Sequence, residues 1–328
     1  MWNGSATWNG YNDCTEIQLI KMKKENLWGI DLGGTKVEGV VLKSAENPEI
    51  LFRDRLSTER EKGYDHILNQ INNLVQKMET AVGYRAGQIG MGTPGALDPK
   101  TGTIKNSNST SLIGKPLKND LKKLIGAEFQ LENDANCFAL AETRMGSVKE
   151  KYPEAKVVFG VIMGTGVGGG VVVNGQTING LQSIGGEWGH NFLDESGGSC
   201  YCGKVGCVEQ VLSGPALEKF YQSVSGAKKN LKEIHAAHLA GTDAFATQTM
   251  KRMTVFFGKA ISVVINILDP DVVVIGGGVG NIDLIYTEGR EEARKNVFNT
   301  RLDTPIIKPK LGDSAGVFGA AYLGRLAR

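Results

Sequence analysis

The sequence predicts an α/β protein of two domains with a ligand cleft between them. Three observations predict it. Strand-like and helix-like stretches alternate from Leu27 to Leu326. A strand, a glycine-rich turn and a second strand occur twice, in LWGID-LGGTK-VEGVV and again in VVFGVIM-GTGVGGG-VVVNG. The 328 residues suit two domains, at about 100–200 residues for each.

The elements follow in order. Leu27–Val41 reads as strand, turn and strand, and the alternation in ILFRDRLST makes a third strand. Tyr64–Met78 has helical spacing, with Ile67, Ile71 and Val75 on one face. QIGMGTPG is a strand that ends in a Gly/Pro turn. LKNDLKKLIG is a short helix, EFQLEND a strand, and DANCFALAETRM a helix that opens at Asp134. After the second strand–turn–strand unit, Thr249–Leu268 is a long apolar helix and DVVVIGGG a buried strand. SAGVFGAAYLGRL closes the chain as a helix of small and apolar residues that must approach its neighbours closely. No low-complexity linker separates the halves. The expected division is a poorly ordered tail over 1–26, a small domain of 27–135 plus 313–328, and a larger domain of 136–312.

Composition narrows the function. A net charge of +2 gives no footprint for nucleic acid or an acidic partner. No run of about 18 apolar residues exists, and the first 26 residues lack the apolar core of a secretory signal. Of the cysteines Cys14, Cys137, Cys200, Cys202 and Cys207, three lie close together, unlike a secreted disulfide framework. The expectation is a cytoplasmic protein without membrane contact. Glycine is enriched, at 44 residues against a usual ~7%, and falls in short runs after apolar stretches. Such runs let backbone approach a ligand.

Four motifs carry chemistry. In Asp31-Leu32-Gly33-Gly34-Thr35-Lys36, bare glycine N–H groups can meet phosphate oxygens, Thr35 and Lys36 add donors, and Asp31 can organise Mg²⁺ through water. In the second loop, Gly164, Gly166 and Gly169 satisfy G-x-G-x-x-G. A strand follows where the dinucleotide fingerprint requires a helix, so that reading is rejected. Two phosphate loops remain, Gly164-Thr165-Gly166 being the core of the second, with Gly276-Gly277-Gly278 after a buried strand. His190, Cys200, Cys202 and Cys207 make a closed imidazole-and-thiolate set suited to structural Zn²⁺. Glu132-Asn133-Asp134-Ala135-Asn136 ends a strand and enters a helix. There Asp134 is either an N-cap or a base for a substrate hydroxyl.

DLGGTK, ENDAN, GTGVGGG, GEWGH, C-x-C-G-x-x-G-C-x-E and DPDVVVIGGG occur here in one order, from about Leu27 to Leu326. Together they resemble the ROK family of bacterial sugar kinases and repressors. The resemblance implies the actin/hexokinase-like (ribonuclease H-like) fold. It implies transfer of the γ-phosphoryl group of ATP to a hexose 6-hydroxyl, with Mg²⁺ and a structural Zn²⁺. It makes Asp134 the base, and Asn108, Asn133, Glu187, His190 and Glu209 the sugar ligands. Asp31–Lys36 and Gly164–Gly166 become the phosphate cradle, and Gly276, Gly277 and Gly278 the adenosine side. It also implies a homodimer. Several stretches resemble fructokinases and mannokinases most, which ranks fructose and mannose first, N-acetylglucosamine second and glucose third. Ser111 stands where fructokinase-like members tend to carry Trp. A sugar-responsive repressor would need a DNA-binding segment before Leu27, and residues 1–26 show no helical pattern or basic stripe. A non-catalytic sensor would have lost the base or a loop, and both are present.

Overall fold

The computed structural model describes residues 26–107 and 109–326. Most of the expected N-terminal tail, with Cys14, lies outside the described residues, and so does the sugar-ligand candidate Asn108.

Two five-stranded sheets dominate, and their strand orders match. The first runs β3–β2–β1–β4–β5, from β1 (Leu27–Leu32), β2 (Lys36–Leu42), β3 (Ile50–Ser57), β4 (Gln88–Thr93) and β5 (Glu128–Asn133). The second runs β8–β7–β6–β9–β10, from β6 (Val157–Met163), β7 (Val167–Val173), β8 (Gln176–Thr177), β9 (Val272–Gly276) and β10 (Ile306–Ile307). In each sheet the first three strands of the meander pair antiparallel and the rest pair parallel. The mixed α/β architecture agrees with the actin/hexokinase-like expectation. Continuous apolar runs in β6 and β9 suit strands covered on both faces, and β9 is wholly buried. The alternating β3 is an edge strand whose odd positions are exposed.

Parallel pairing sets the site. Asp31 of β1 lies beside Gly92 of β4, and Gly92 beside Glu132 of β5. The carboxyl ends of these strands therefore share one edge, and open α/β sheets bind ligands at such edges. Helices α1 (Tyr64–Val82) and α2 (Leu117–Ile125) cover the outer face of the first sheet. Helix α3 (Asp134–Arg144) leaves β5 directly. The short α4 (Val208–Leu212) and α5 (Gly214–Ser225) follow the cysteine loop, and the long α6 (Ala244–Leu268) supports the second sheet. Its Met250, Met253, Phe257 and Ile261 are buried. It starts five residues before the apolar pattern, because the Asp243 side chain caps it by accepting from Phe245 N and Ala246 N.

Between the sheets lie α3 and α7 (Ala315–Leu326). Cys137, Phe138 and Leu140 of α3 share a core with Val317, Phe318 and Ala320 of α7 and with Val40, Val158 and Val272 of the two sheets. Glycine makes this layer possible. A Cβ at Gly319 would overlap the carbonyl of Cys137, and one at Gly90 the carbonyl of Ala320. The expected close approach of the last helix is thus a backbone-to-backbone contact.

Candidate active site

Asp134 occupies the first position of α3. Capping falls to its neighbour: Asn133 Oδ1 accepts from Asn136 N at 2.7 Å. Asp134 accepts from Ala135 N at 2.9 Å and from its own backbone N–H, and the residue remains exposed. Protein nevertheless surrounds it, and that partial desolvation raises its pKa. A carboxylate that is accessible, uncapped and more basic than usual is equipped to take a proton.

Asp31 faces it from β1. Its pKa is pushed up to about 7, by burial first and then by the negative charges of Asp134 and Glu38, with Lys36 opposing. The carboxylate fits because two glycines give way. A Cβ at Gly92 would stand 3.0 Å from Oδ1, and one at Gly316 would stand 2.8 Å from Oδ2. These two glycines come from β4 and α7, and sequence reasoning did not single them out.

The first loop turns through a hydrogen bond from Gly33 N to Lys36 O of 2.8 Å. Lys36 pairs with the buried Glu38 at 3.5 Å. In the second loop, Gly164 N donates to Gly166 O at 2.9 Å, and Gly164 O accepts from Gly214 N at 2.8 Å. Glu209 Oε2 accepts from Val167 N at 3.0 Å. A Cβ on Gly166 would stand 2.6 Å from that oxygen, so the residue has to be glycine for the carboxylate to dock. Thr35 and Thr165 are both exposed at the loop tips. The three later glycines divide. Gly276 presses on the Phe138 ring and Gly277, at φ 84°, on the carbonyl of Met163, whereas Gly278 faces open space. Gly277 and Gly278 are exposed while Gly276 is buried, and Gly278 alone of the three has room for a side chain.

On the acceptor side, Asn133 Nδ2 donates to Glu187 Oε1 at 3.4 Å. Burial raises the pKa of Glu187, with His190 opposing. A cavity of about 920 Å³ takes in Asn106, Ser107, Ile113, Ile184, Glu187, His190 and Tyr201. Buried Glu132 accepts from Asn133 N (2.9 Å), Asn136 Nδ2 (3.1 Å) and Thr177 Oγ1 (3.2 Å). It locks the strand end that carries Asp134. Its place in the ENDAN segment was its only sequence signal.

The ligand atoms of His190, Cys200, Cys202 and Cys207 all lie within 4.8 Å of one another. His190 Nδ1 faces Cys200 Sγ at 3.6 Å, and Cys202 Sγ faces Cys207 Sγ at 3.6 Å. One imidazole and three sulfurs at such separations fit tetrahedral zinc. His190 Nε2, on the far side of the ring, meets the Tyr201 hydroxyl at 2.9 Å.

A family model described as the ROK family matches residues 27–326. An N-acetyl-D-glucosamine kinase of Aliivibrio fischeri is 35% identical over 306 residues, covering 90% of this chain and 98% of that protein. Among solved structures, a ROK hexokinase from Thermus thermophilus superposes with a TM-score of 0.81 at 31% identity, over 92% of this chain and 98% of its own. A ROK family glucokinase from Streptomyces griseus, in complex with glucose and AMPPNP, gives 0.73 at 26% identity, over 92% and 100%.

Proposed function

Because the chain belongs to the ROK family and is one of its sugar kinases, we propose that it transfers the γ-phosphoryl group of ATP to the 6-hydroxyl of N-acetylglucosamine, with Asp134 as general base. The observation that carries the mechanism is the state of Asp134. Asn133 relieves it of capping, and its exposed carboxylate lies close enough to Asp31, at the head of the first glycine loop, to raise that group's pKa. The acceptor hydroxyl would lose its proton to Asp134 as its oxygen attacks in line. Asn133 and Glu187 would hold neighbouring hydroxyls, and Asn108 joins them by resemblance. Mg²⁺ arriving with the nucleotide would offset phosphate charge, and Asp31 is placed to hold it through water.

The acceptor is drawn from the relatives, which are N-acetyl-D-glucosamine kinases at 35–37% identity. That support moves N-acetylglucosamine ahead of fructose and mannose. Ser111 agrees, being half-buried next to cavity-lining Ile113. A small residue there leaves room for an acetamido group, and Ile113 and Ile184 would meet its methyl. Zinc, held by His190, Cys200, Cys202 and Cys207, would be structural. It would fix the loop from which Glu187 and Glu209 reach the sugar and the second glycine loop. Exposed Val263 and Ile267 on α6 support a homodimer. Among the described residues no helix is long and apolar enough to cross a membrane, which is compatible with a cytoplasmic kinase.

The test is sugar-dependent ADP release with Mg·ATP. kcat/KM for N-acetylglucosamine should exceed that for fructose, mannose and glucose by about tenfold or more. A higher value for fructose or mannose overturns the acceptor assignment and keeps the kinase. Absence of turnover with all four overturns the enzymatic reading. Metal analysis of the purified chain should find one zinc, lost on Cys200→Ser/Cys207→Ser replacement.

A further inference from the structure

The cleft is rich in carboxylates. Asp31, Asp134, Glu187 and Glu209 all face it or border it, and like charge contributes to the raised pKa values of Asp31 and Glu187. A nucleotide triphosphate entering this field needs cations placed for it. The cations of the first sheet are mostly spoken for. Lys36, Arg53 and Arg55 converge on the buried Glu38, with Arg53 and Glu38 2.7 Å apart, and both arginines also donate to Ser314. Lys62 pairs with Glu59 at 2.8 Å, and Glu59 also holds His66 at 2.7 Å.

Arg60 is different. No carboxylate or carbonyl among the described residues holds its guanidinium, which lies instead against the first glycine loop. A Cβ built on Gly34 would stand 2.9 Å from its Nη1. The turn that carries it is docked on that loop. Thr58, 2% exposed, donates its backbone N–H to Thr35 O and its hydroxyl to Gly33 O, both at 2.9 Å. Glu59 then takes a left-handed conformation, φ 47°, which is uncommon without a glycine. That reversal sends the Glu59 carboxylate toward Lys62 and His66, and leaves Arg60 over Gly34 without an acidic partner. An exposed, unpaired guanidinium on a phosphate-binding turn is a ready-made fork for phosphate oxygens.

We propose that Arg60 is a further substrate-contacting residue of the transfer, its guanidinium closing over Gly34 onto the terminal phosphates of the nucleotide and stabilising charge there as the phosphoryl group moves. The proposal rests on the kinase reading. It adds a side chain from the β3–α1 turn to a cradle so far made of loop backbone, Thr35 and Lys36.

The experiment compares wild type with Arg60→Ala and Arg60→Lys in the full chain, in steady-state kinetics and in calorimetric binding of Mg·ATP and adenosine. Arg60→Ala should lower kcat/KM for ATP by roughly 10–100-fold. The sugar KM and adenosine affinity should stay within about twofold of wild type, and millimolar guanidinium should restore part of the lost rate. Arg60→Lys, which keeps the charge and loses the fork, should fall between. If Arg60→Ala proves poorly folded by circular dichroism, the lysine variant alone decides: a loss confined to ATP supports the contact. Unchanged kcat/KM for ATP in a folded variant, or a loss shared equally by adenosine and sugar, overturns it. If the wild-type chain turns over no sugar, the kinase reading fails. The ATP-against-adenosine comparison still reports on Arg60.

Discussion

The turn between β1 and β2 and the turn between β6 and β7 hold the same place in sheets of the same strand order. Their supports differ. The first is backed by a neutral hydroxyl, Thr58, and faced by cations, Lys36 and Arg60. The second is gripped by a carboxylate, Glu209, whose segment follows directly from the cysteine cluster. The first turn is thus tied to its own sheet, and the second to a loop that a metal would stiffen. A repeated topology supplies two loops facing one cleft, and each half then carries different chemistry. The proposed proton acceptor, Asp134, belongs to neither loop. It sits at the end of β5, where the first half passes into α3.

That division predicts the largest effect at Asp134. Asp134→Asn keeps the shape and the Asn133 cap but removes the base, so kcat should fall by about 10²–10⁴-fold while sugar affinity changes little. A kcat within tenfold of wild type, measured by coupled ADP release, would return the base to one of the loops.

The two loops can then be set against each other directly. Gly166→Ala drives a methyl group into the Glu209 carboxylate, which Val167 N holds in place. Gly34→Ala meets only the end of the Arg60 side chain, which can swing away. The first should cost roughly tenfold more in kcat/KM for ATP than the second. Equal losses would mean that the loops are held alike.

Acidity separates the halves less sharply. The pKa of Asp134 is raised, and as the proposed base it would act in its ionised form, so activity should persist at higher pH and disappear as pH falls through that raised value. The acid limb of log(kcat/KM) should therefore lie above the ordinary Asp value of about 4. A profile flat down to about pH 4 would contradict it.

Much of this site was legible in the sequence, because its parts are local. Each glycine loop is one contiguous turn, and the His/Cys quartet lies between His190 and Cys207. The unread parts are contacts between distant segments. Gly92 and Gly316 make room for Asp31 only after strand pairing and the return of α7 bring them there. Capping by Asn133 rather than Asp134 turns on a one-residue offset at the helix start that composition leaves open, since Asn and Asp cap about equally well. Gly276 and Gly277 sit in a run that looks uniform, yet only their packing against Phe138 and Met163 separates them from Gly278. Arg60 and Thr58 lie in a polar stretch without periodicity, where no pattern distinguishes a docked turn from a solvated one.

Thr58 gives the smallest and most local test of how the first loop is held. Thr58→Val keeps the volume and the backbone bond to Thr35 O, but deletes the hydroxyl that serves Gly33 O. Thr58 is buried, so water would not readily replace the lost donor. The expected destabilisation is about 1–2 kcal/mol, measured by urea unfolding. KM for ATP should rise a few-fold, because the loop and Arg60 loosen together, with kcat nearly unchanged. A matched Glu209→Gln variant retains an oxygen that can accept from Val167 N, and should disturb the second loop less than Gly166→Ala does. If Thr58→Val left both stability and the KM for ATP unchanged, backbone pairing alone would hold the first loop, and its contrast with the side-chain grip on the second would be sharper.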